Sequence, residues 1–338
     1  MYKVSVIVPV YNLEHVLANT LESLALQTFR DFEIIVVDDN SMDGSAGLAE
    51  DVLNTFGVVH SVIRHQDNLG VSAARNTGLS VARGTYVIFF DGDDLAESNF
   101  VSCLYESISN NDVDAVFCGY KTRESKSGKE TFYPSCEAMP ASTQDAILRL
   151  RLLNKITAMM WAAIYKREYL IRNNICFTEK RIAGEDVEFV TKVIAAGAKL
   201  SFIKECLYIY MQHENMGTRK SMSSRDKMIT RYKHHTEAHF DEATFIIQHM
   251  NSKLSYRMAE NYLVPIGYQR MFSVYAAQGE RKAFDCLLYN SKVRNILLQS
   301  FWSFFDKPEV FMKSLFIVLF PNLYYRKYYV RFNKRVQR

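Results

Sequence analysis

Over the first hundred residues, short runs of β-branched and aromatic residues alternate with stretches of helical periodicity. Val4–Val10 is an apolar run with Pro9 near its end, and Leu13, Val16, Leu17, Thr20, Leu21 and Leu24 then recur three or four apart. Residues 32–37 form a second apolar run, followed by helical spacing over 45–56. Residues 58–64 read as a third strand, 71–82 as a third helix and 85–90 as a fourth strand. Strand alternating with helix predicts an α/β layer around a mostly parallel sheet. Such strands are covered on both faces, so IIVV at 34–37 and VIFF at 87–90 are continuous rather than alternating.

Further along, 97–109 reads as a helix, 114–118 as a strand and the polar stretch 122–130 as a hairpin or loop. From Arg225 onward helical periodicity dominates. Three regions are expected: 1–100, 101–224 and 225–338, the last of them basic and mainly helical.

Ligands of parallel sheets bind beyond the carboxyl ends of the strands. There the chain places Tyr11 and Asn12 after the first run, Asp38 and Asp39 after the second, and Asp91, Asp93 and Asp94 after the fourth. Five carboxylates at one edge repel each other unless a cation or hydrogen-bond donors neutralise them. Asp91 and Asp93, two apart across Gly92, can both reach one hard divalent ion, so Mn²⁺ or Mg²⁺ is the expected cofactor.

Five segments occur in fixed order: SVIVPVYN at 5–12, IIVVDDNSMDGS at 34–45, NLGVSAARNTG at 68–78, DGDD at 91–94 and GEDVEF at 184–189. Together they resemble the family 2 glycosyltransferases, over about residues 3–215. The resemblance implies a GT-A type fold: a mostly parallel sheet flanked by helices, with 1–100 as its nucleotide-sugar-binding half and 101–224 as its acceptor-binding half with the catalytic base, here followed by a helical C-terminal region. It also implies inverting transfer of a hexosyl or N-acetylhexosaminyl group from a nucleotide-diphosphate donor, usually UDP-linked, to a hydroxyl. By matching motif, Pro9 and Tyr11 begin the base pocket, Asp39 accepts the base imide N–H and Asn68 flanks the base. Arg75 approaches the base or diphosphate, Asp91 holds the ribose or a metal-bound water, and Asp93 holds the metal. Asp186 is the implied catalytic base, with Glu185 orienting the site and Gly184 letting the acceptor approach. A carboxylate at a helix N-terminus stays ionised and can take the acceptor's proton; the plainer reading is a pair of helix-capping residues. Trp161 is either a sugar platform or a core residue. His213 is a candidate metal or phosphate ligand, with Arg219 or Lys220 as further phosphate contacts. Asp43 reads as a helix cap.

Charge changes the picture only at the C-terminus. Residues 1–224 carry 22 Lys and Arg against 28 Asp and Glu, whereas residues 225–338 carry 19 against 9. The last 29 residues hold seven basic side chains and no acidic one, among many Tyr and Phe. That mixture suits a membrane interface through 310–338, or a homo-oligomer contact within 225–338. No motif for nucleic-acid binding accompanies it, so no nucleic-acid partner is expected. Six scattered cysteines form no CxxC pair and read as reduced thiols. No stretch of 18 apolar residues and no signal-peptide pattern appears, so the expected location is cytoplasmic, peripheral on the inner face of the cell membrane. The expected acceptor is a glycan or lipid-linked sugar of cell-surface polysaccharide synthesis. The alternatives are a nucleotide-sugar-binding scaffold without catalysis and a nucleotidyltransferase. The latter lacks its glycine-rich basic loop here, since PVYNL follows the first strand.

Overall fold

The computed structural model describes residues 2–136, 143–213, 225–303 and 307–334. Two compact units share the chain: residues 1–181 with 185–213, and residues 182–184 with 214–338.

The first unit is built on a sheet. Strands β1 (Val4–Val10) and β2 (Phe32–Asp38) are buried along their whole length. Helices α1 (Leu17–Ala25) and α2 (Ser45–Phe56) follow them, and β3 (His60–Arg64) forms the edge. The third strand begins two residues later than its apolar run. Gly57 closes α2 in a left-handed conformation, and Val58 is spent on the turn, donating to the Leu53 carbonyl. Helix α3 (Val71–Val81) precedes β4 (Tyr86–Phe89). Gly78 lets α3 lie against β1, because a Cβ there would meet Ile7 Cγ2 at 2.3 Å. Strands β3, β2, β1 and β4 are parallel neighbours in that order, so their carboxyl ends share one edge.

Beyond β4 the pairing is mixed. The chain adds β5 (Leu95–Ala96), α4 (Phe100–Asn110) and the hairpin β6 (Ala115–Glu124) with β7 (Glu130–Tyr133). Then come α5 (Gln144–Leu152), β8 (Ala163–Lys166) and α6 (Arg167–Arg172), followed by α7 (Glu185–Ala195) and β9 (Leu200–Gln212). Strand β8 joins β4 to β6 with antiparallel pairing on both sides, and β9 runs parallel to β6. The expected α/β class stands, with consecutive parallel neighbours only among the first four strands and one further parallel pair, β6 with β9.

The second unit is helical among its described residues. It comprises α8 (Arg225–His249), α9 (Lys253–Met258), a π turn (Ala259–Leu263) and α10 (Val264–Gln278). After them come α11 (Arg281–Tyr289), α12 (Ser291–Gln299), a 3-10 turn, α13 (Pro308–Leu319) and α14 (Pro321–Lys334). Proline opens both of the last two helices, where its missing N–H costs nothing. The core gathers Phe272, Phe284, Leu288, Leu297, Ile317 and Tyr324. Buried polar groups pair inside it: Gln269 Nε2 donates to the Val310 carbonyl at 2.6 Å and to Ser314 Oγ at 2.8 Å, and the Ser273 and Tyr324 hydroxyls meet at 2.7 Å. Among the described residues no helix is long and apolar enough to cross a membrane.

Candidate active site

The site grows from the shared carboxyl edge of β1, β2, β3 and β4. Loops there expose backbone donors, and short polar side chains satisfy them. Asn12, left-handed with φ 53°, donates its backbone N–H to Ser41 Oγ at 2.9 Å and accepts from Met42 N–H at 2.8 Å. Ser45 Oγ accepts from Leu13 N–H at 2.9 Å. Asp43 accepts from the backbone of both Glu14 and Ser45; the N-cap of α2 is Gly44, so Asp43 serves the first helical N–H from one residue before the cap. These bonds lace the loops after β1 and β2 together. Pro9 is buried within β1, and Tyr11 stands 47% exposed.

Asp38 and Asp39 close β2. Asp38 pairs with Arg64 Nε at 3.3 Å, while Arg64 also donates to the Ser41 carbonyl. Asp39, 3% exposed, accepts from Leu69 N–H at 2.9 Å, from Gly70 N–H at 2.7 Å and from His65 Nδ1 at 2.8 Å. It thereby shapes the loop from β3 to α3, in which Asn68 is exposed.

Arg75 projects from α3, 4% exposed, and draws two distant segments together. Its Nη2 donates to Asp91 Oδ1 at 2.7 Å, and its Nη1 reaches Glu185 Oε1 at 3.5 Å. Its guanidinium also lies 5.1 Å from the Phe177 ring centroid. Three polar groups of this set are buried with an atom lacking a hydrogen-bond partner: Asp38 Oδ2, Arg75 Nε and Glu185 Oε2. Burial and the adjacent Asp186 push the Glu185 carboxyl up, against the pull of Arg75.

The acidic loop after β4 is perturbed by burial and by its own crowding. Burial and neighbouring Asp91 push Asp93 up to about 6, with His213 and Arg75 acting the other way. His213 Nε2 lies 3.3 Å from the Asp93 carbonyl. Asp94 is fully buried, and burial beside Asp93 and Asp91 raises its proton affinity strongly. It accepts from the Tyr208 hydroxyl at 2.6 Å and from Met211 N–H at 2.7 Å. Asp94 thus ties the end of β9 to the acidic loop and sets His213 beside Asp93. Gly92 supports the turn: a Cβ there would meet Leu13 Cδ1 at 2.9 Å and the Pro9 carbonyl at 3.0 Å.

Helix α7 opens with Glu185 and Asp186, and Asp186 Oδ1 accepts from Val187 N–H at 2.8 Å. One turn on, buried Glu188 pairs with Arg181, Lys192 and the Thr178 hydroxyl, which anchors the start of the helix. Gly184 belongs to the second unit and has φ 87°. The space a side chain would need there is taken by Ala238 and His235, with a Cβ 2.9 Å from Ala238 Cβ. The local reason for that glycine is backbone conformation and helix proximity. Trp161 is 9% exposed among Tyr120, Tyr208 and Tyr210, with ring centroids 4.4–5.8 Å away. Its indole is a member of an aromatic cluster. Arg219 and Lys220 lie outside the described residues.

The structure therefore brings together Asp91, Asp93, Arg75, Glu185, Asp186 and His213, and separately links Asp39 to the Asn68 loop. Among the described residues no three His, Cys, Asp or Glu side chains are grouped to hold a metal. The donor set still fits a hard divalent cation, because the crowded, half-buried carboxylates of Asp91 and Asp93 would be neutralised by one. Three residues escaped the sequence reading: His65, Thr77 and the Asp94–Tyr208 pair's tyrosine. His65 follows the end of β3, so the strand-end rule that singled out Asp38 and Asp91 also points to it.

Residues 5–172 match the family model described as Glycosyl transferase family 2. The chain belongs to glycosyltransferase family 2. Within that family it is 34% identical over 215 residues to glycosyltransferase EpsJ of Bacillus subtilis, a stretch covering 63% of this chain and 62% of EpsJ. The chain thus spans less than two thirds of that relative. Two solved structures share the fold. One is residues 1–349 of Staphylococcus aureus TarS with UDP-GlcNAc: TM-score 0.67, 22% identity, 98% of this chain and 92% of that one. The other is mannosyltransferase PcManGT of Pyrobaculum calidifontis with GDP-Man and Mn²⁺: TM-score 0.54, 18% identity, 95% and 88% covered. Both support the GT-A type fold of the family 2 domain.

Proposed function

We propose that the protein is an inverting glycosyltransferase that moves a sugar from a UDP-linked donor to a hydroxyl of a glycan or lipid-linked acceptor in cell-surface polysaccharide synthesis. The observation that carries this reading is the Arg75 bridge. One buried guanidinium joins the acidic loop to the residue beside Asp186, so two motifs almost a hundred positions apart meet in one site. The UDP-GlcNAc complex of TarS supports the donor class.

In this reading Tyr11 stacks on the base, Asp39 accepts from it, and Asn68 closes the loop over it. Asp93 and His213 would hold Mn²⁺ or Mg²⁺, with Asp91 at the ribose or a metal-bound water, and the ion would neutralise diphosphate charge; PcManGT with Mn²⁺ supports that cofactor. Asp186 takes the proton of the acceptor hydroxyl as its oxygen bonds to the anomeric carbon. The bond from that carbon to the diphosphate oxygen breaks in the same displacement, so configuration inverts. Arg75 and Glu185 keep Asp186 aligned. A screen of UDP-, GDP- and dTDP-sugars with Mn²⁺ and with chelator tests the reading. Metal-dependent turnover of a UDP-sugar is expected, and retained configuration in the product by NMR would overturn the displacement.

The proposed place of action is the inner face of the cell membrane. The turn between α13 and α14 exposes Leu319, Phe320 and Leu323 beside exposed Arg326 and Lys327. Apolar insertion next to basic side chains suits anionic lipid, at about 1 kcal/mol per basic residue. Salt-sensitive binding to phosphatidylglycerol vesicles is expected, lost when Leu319 and Phe320 become Ser. No binding at low salt, with a changed oligomeric state in that variant, would make the segment an assembly contact instead.

A further inference from the structure

Asp39 is committed to the protein before any ligand arrives. Each carboxylate oxygen offers two lone pairs. On Oδ1 both are used, by Leu69 N–H at 2.9 Å and by His65 Nδ1 at 2.8 Å. On Oδ2 one is used, by Gly70 N–H at 2.7 Å, and one remains. The His65 ring is fixed on its other side, where Nε2 lies 2.9 Å from Thr77 Oγ1 on α3. A carboxylate already accepting two backbone N–H groups needs a donor from His65, so Nδ1 carries the proton. The His65 backbone is held too, its N–H donating to the Asp38 carbonyl at 2.9 Å. The ring is nearly buried, 9% exposed, and reaches Asp39 from β3's end and Thr77 from α3.

We propose that His65 is a positioning residue of the base pocket: pinned by Thr77, it orients Asp39 so that the single free acceptor position on Oδ2 selects a base presenting an imide N–H. Uracil carries such a donor at N3, whereas cytosine presents an unprotonated ring nitrogen there. An acceptor facing an acceptor is strongly rejected in a site built for one hydrogen bond. The inference rests on the UDP-donor reading above and adds the residue that enforces it.

The test is calorimetric affinity of the full chain for UDP and CDP, both with Mn²⁺. The parent is expected to prefer UDP; a parent that binds both alike removes the donor reading itself and this inference with it. Given that preference, His65→Ala is expected to narrow the UDP to CDP ratio by about 10-fold, the weight of one charge-assisted hydrogen bond. His65→Asn keeps a donor near Nδ1 and is expected to retain most of the ratio. His65→Gln places its amide toward Thr77 and is expected to behave like Ala. A merely structural histidine would lower both affinities and leave their ratio within twofold, which would overturn the inference, as would Asn doing no better than Gln. If His65→Ala does not fold, the Asn and Gln pair carries the same decision.

Discussion

The two units bury polar groups to different ends. In the helical unit, Gln269, Ser273, Ser314 and Tyr324 are buried and pair with one another or with backbone, which locks helix to helix. In the sheet unit, buried or half-buried charges converge at one edge, like beside like. Asp91, Asp93 and Asp94 crowd together, and Arg75 and Glu185 each keep an unpartnered atom. Crowding of that sort costs stability and is retained where a ligand relieves it. The contrast teaches where to look for chemistry. A satisfied buried network is architecture, whereas unsatisfied, like-charged groups mark a site where strand-end motifs converge on them; the helical unit also buries His235 beside Arg270 and leaves His239 Nε2 without a hydrogen-bond partner, but no such motif meets there.

If the contrast is sound, substitutions in the sheet-unit site should change function and those in the helical core should change stability. The largest functional effect is expected from Asp186→Asn, which keeps the shape and removes the proton acceptor. Turnover should fall by about 10²–10⁴-fold with UDP affinity unchanged. Near-normal turnover would reduce Asp186 to a helix-capping residue. Next, Asp93→Ala should abolish most metal-dependent UDP affinity. Removing a mere supporting partner of a metal ligand already costs about 10–100-fold, so calorimetry with and without chelator should show at least that. Equal affinity in parent and variant would break the assignment.

On the other side of the comparison, Phe284→Ala should destabilise the helical unit by about 3–5 kcal/mol, read as a lower melting temperature, with UDP affinity intact. A large loss of UDP affinity in the folded variant would mean the two units are not separable in function.

The smallest expected effect is a pH dependence of the helical unit. Burial, with Arg270 and Arg231 near it, pushes His235 down to about 3 from an ordinary 6.5. The unfolded chain then binds a proton that the folded one does not. Stability from this group is therefore complete above about pH 6.5 and is lost as pH falls toward 3, by about 2–4 kcal/mol in all. His235→Asn should flatten the melting temperature between pH 4 and 7. An unchanged slope would refute the role of His235.

Much of the site was legible because strand-end motifs are local. A buried apolar run followed at once by Asp38-Asp39 or by Asp91, Asp93 and Asp94 announces itself without any long-range contact. The link from Arg75 to Glu185 spans 110 positions, and no spacing rule could supply it. Trp161 shows the same limit from the other side. Its indole suited a sugar platform or a core, and only its neighbours Tyr208 and Tyr210, some fifty residues away, put it in an aromatic cluster. Strands β5 and β8 were missed because two to four residues carry no period; they exist through their partners in β9, β4 and β6.

By itself, then, the amino-acid sequence determined the order of elements in the first hundred residues, the acidic edge of the sheet and the helical character of the C-terminal region. Each of these follows from periodicity and from residue types within a few positions of one another. Only the tertiary structure decided which of the carboxylates are shared, which are spent on loops and which remain for a ligand. Asp39 is the plainest case. Its type and place were readable from the chain, but the three donors that occupy it come from His65, Leu69 and Gly70, and the ring of His65 is held in turn by Thr77. Hydrogen-bond capacity is a property of the residue, whereas its allocation is settled by what folding brings within three ångströms.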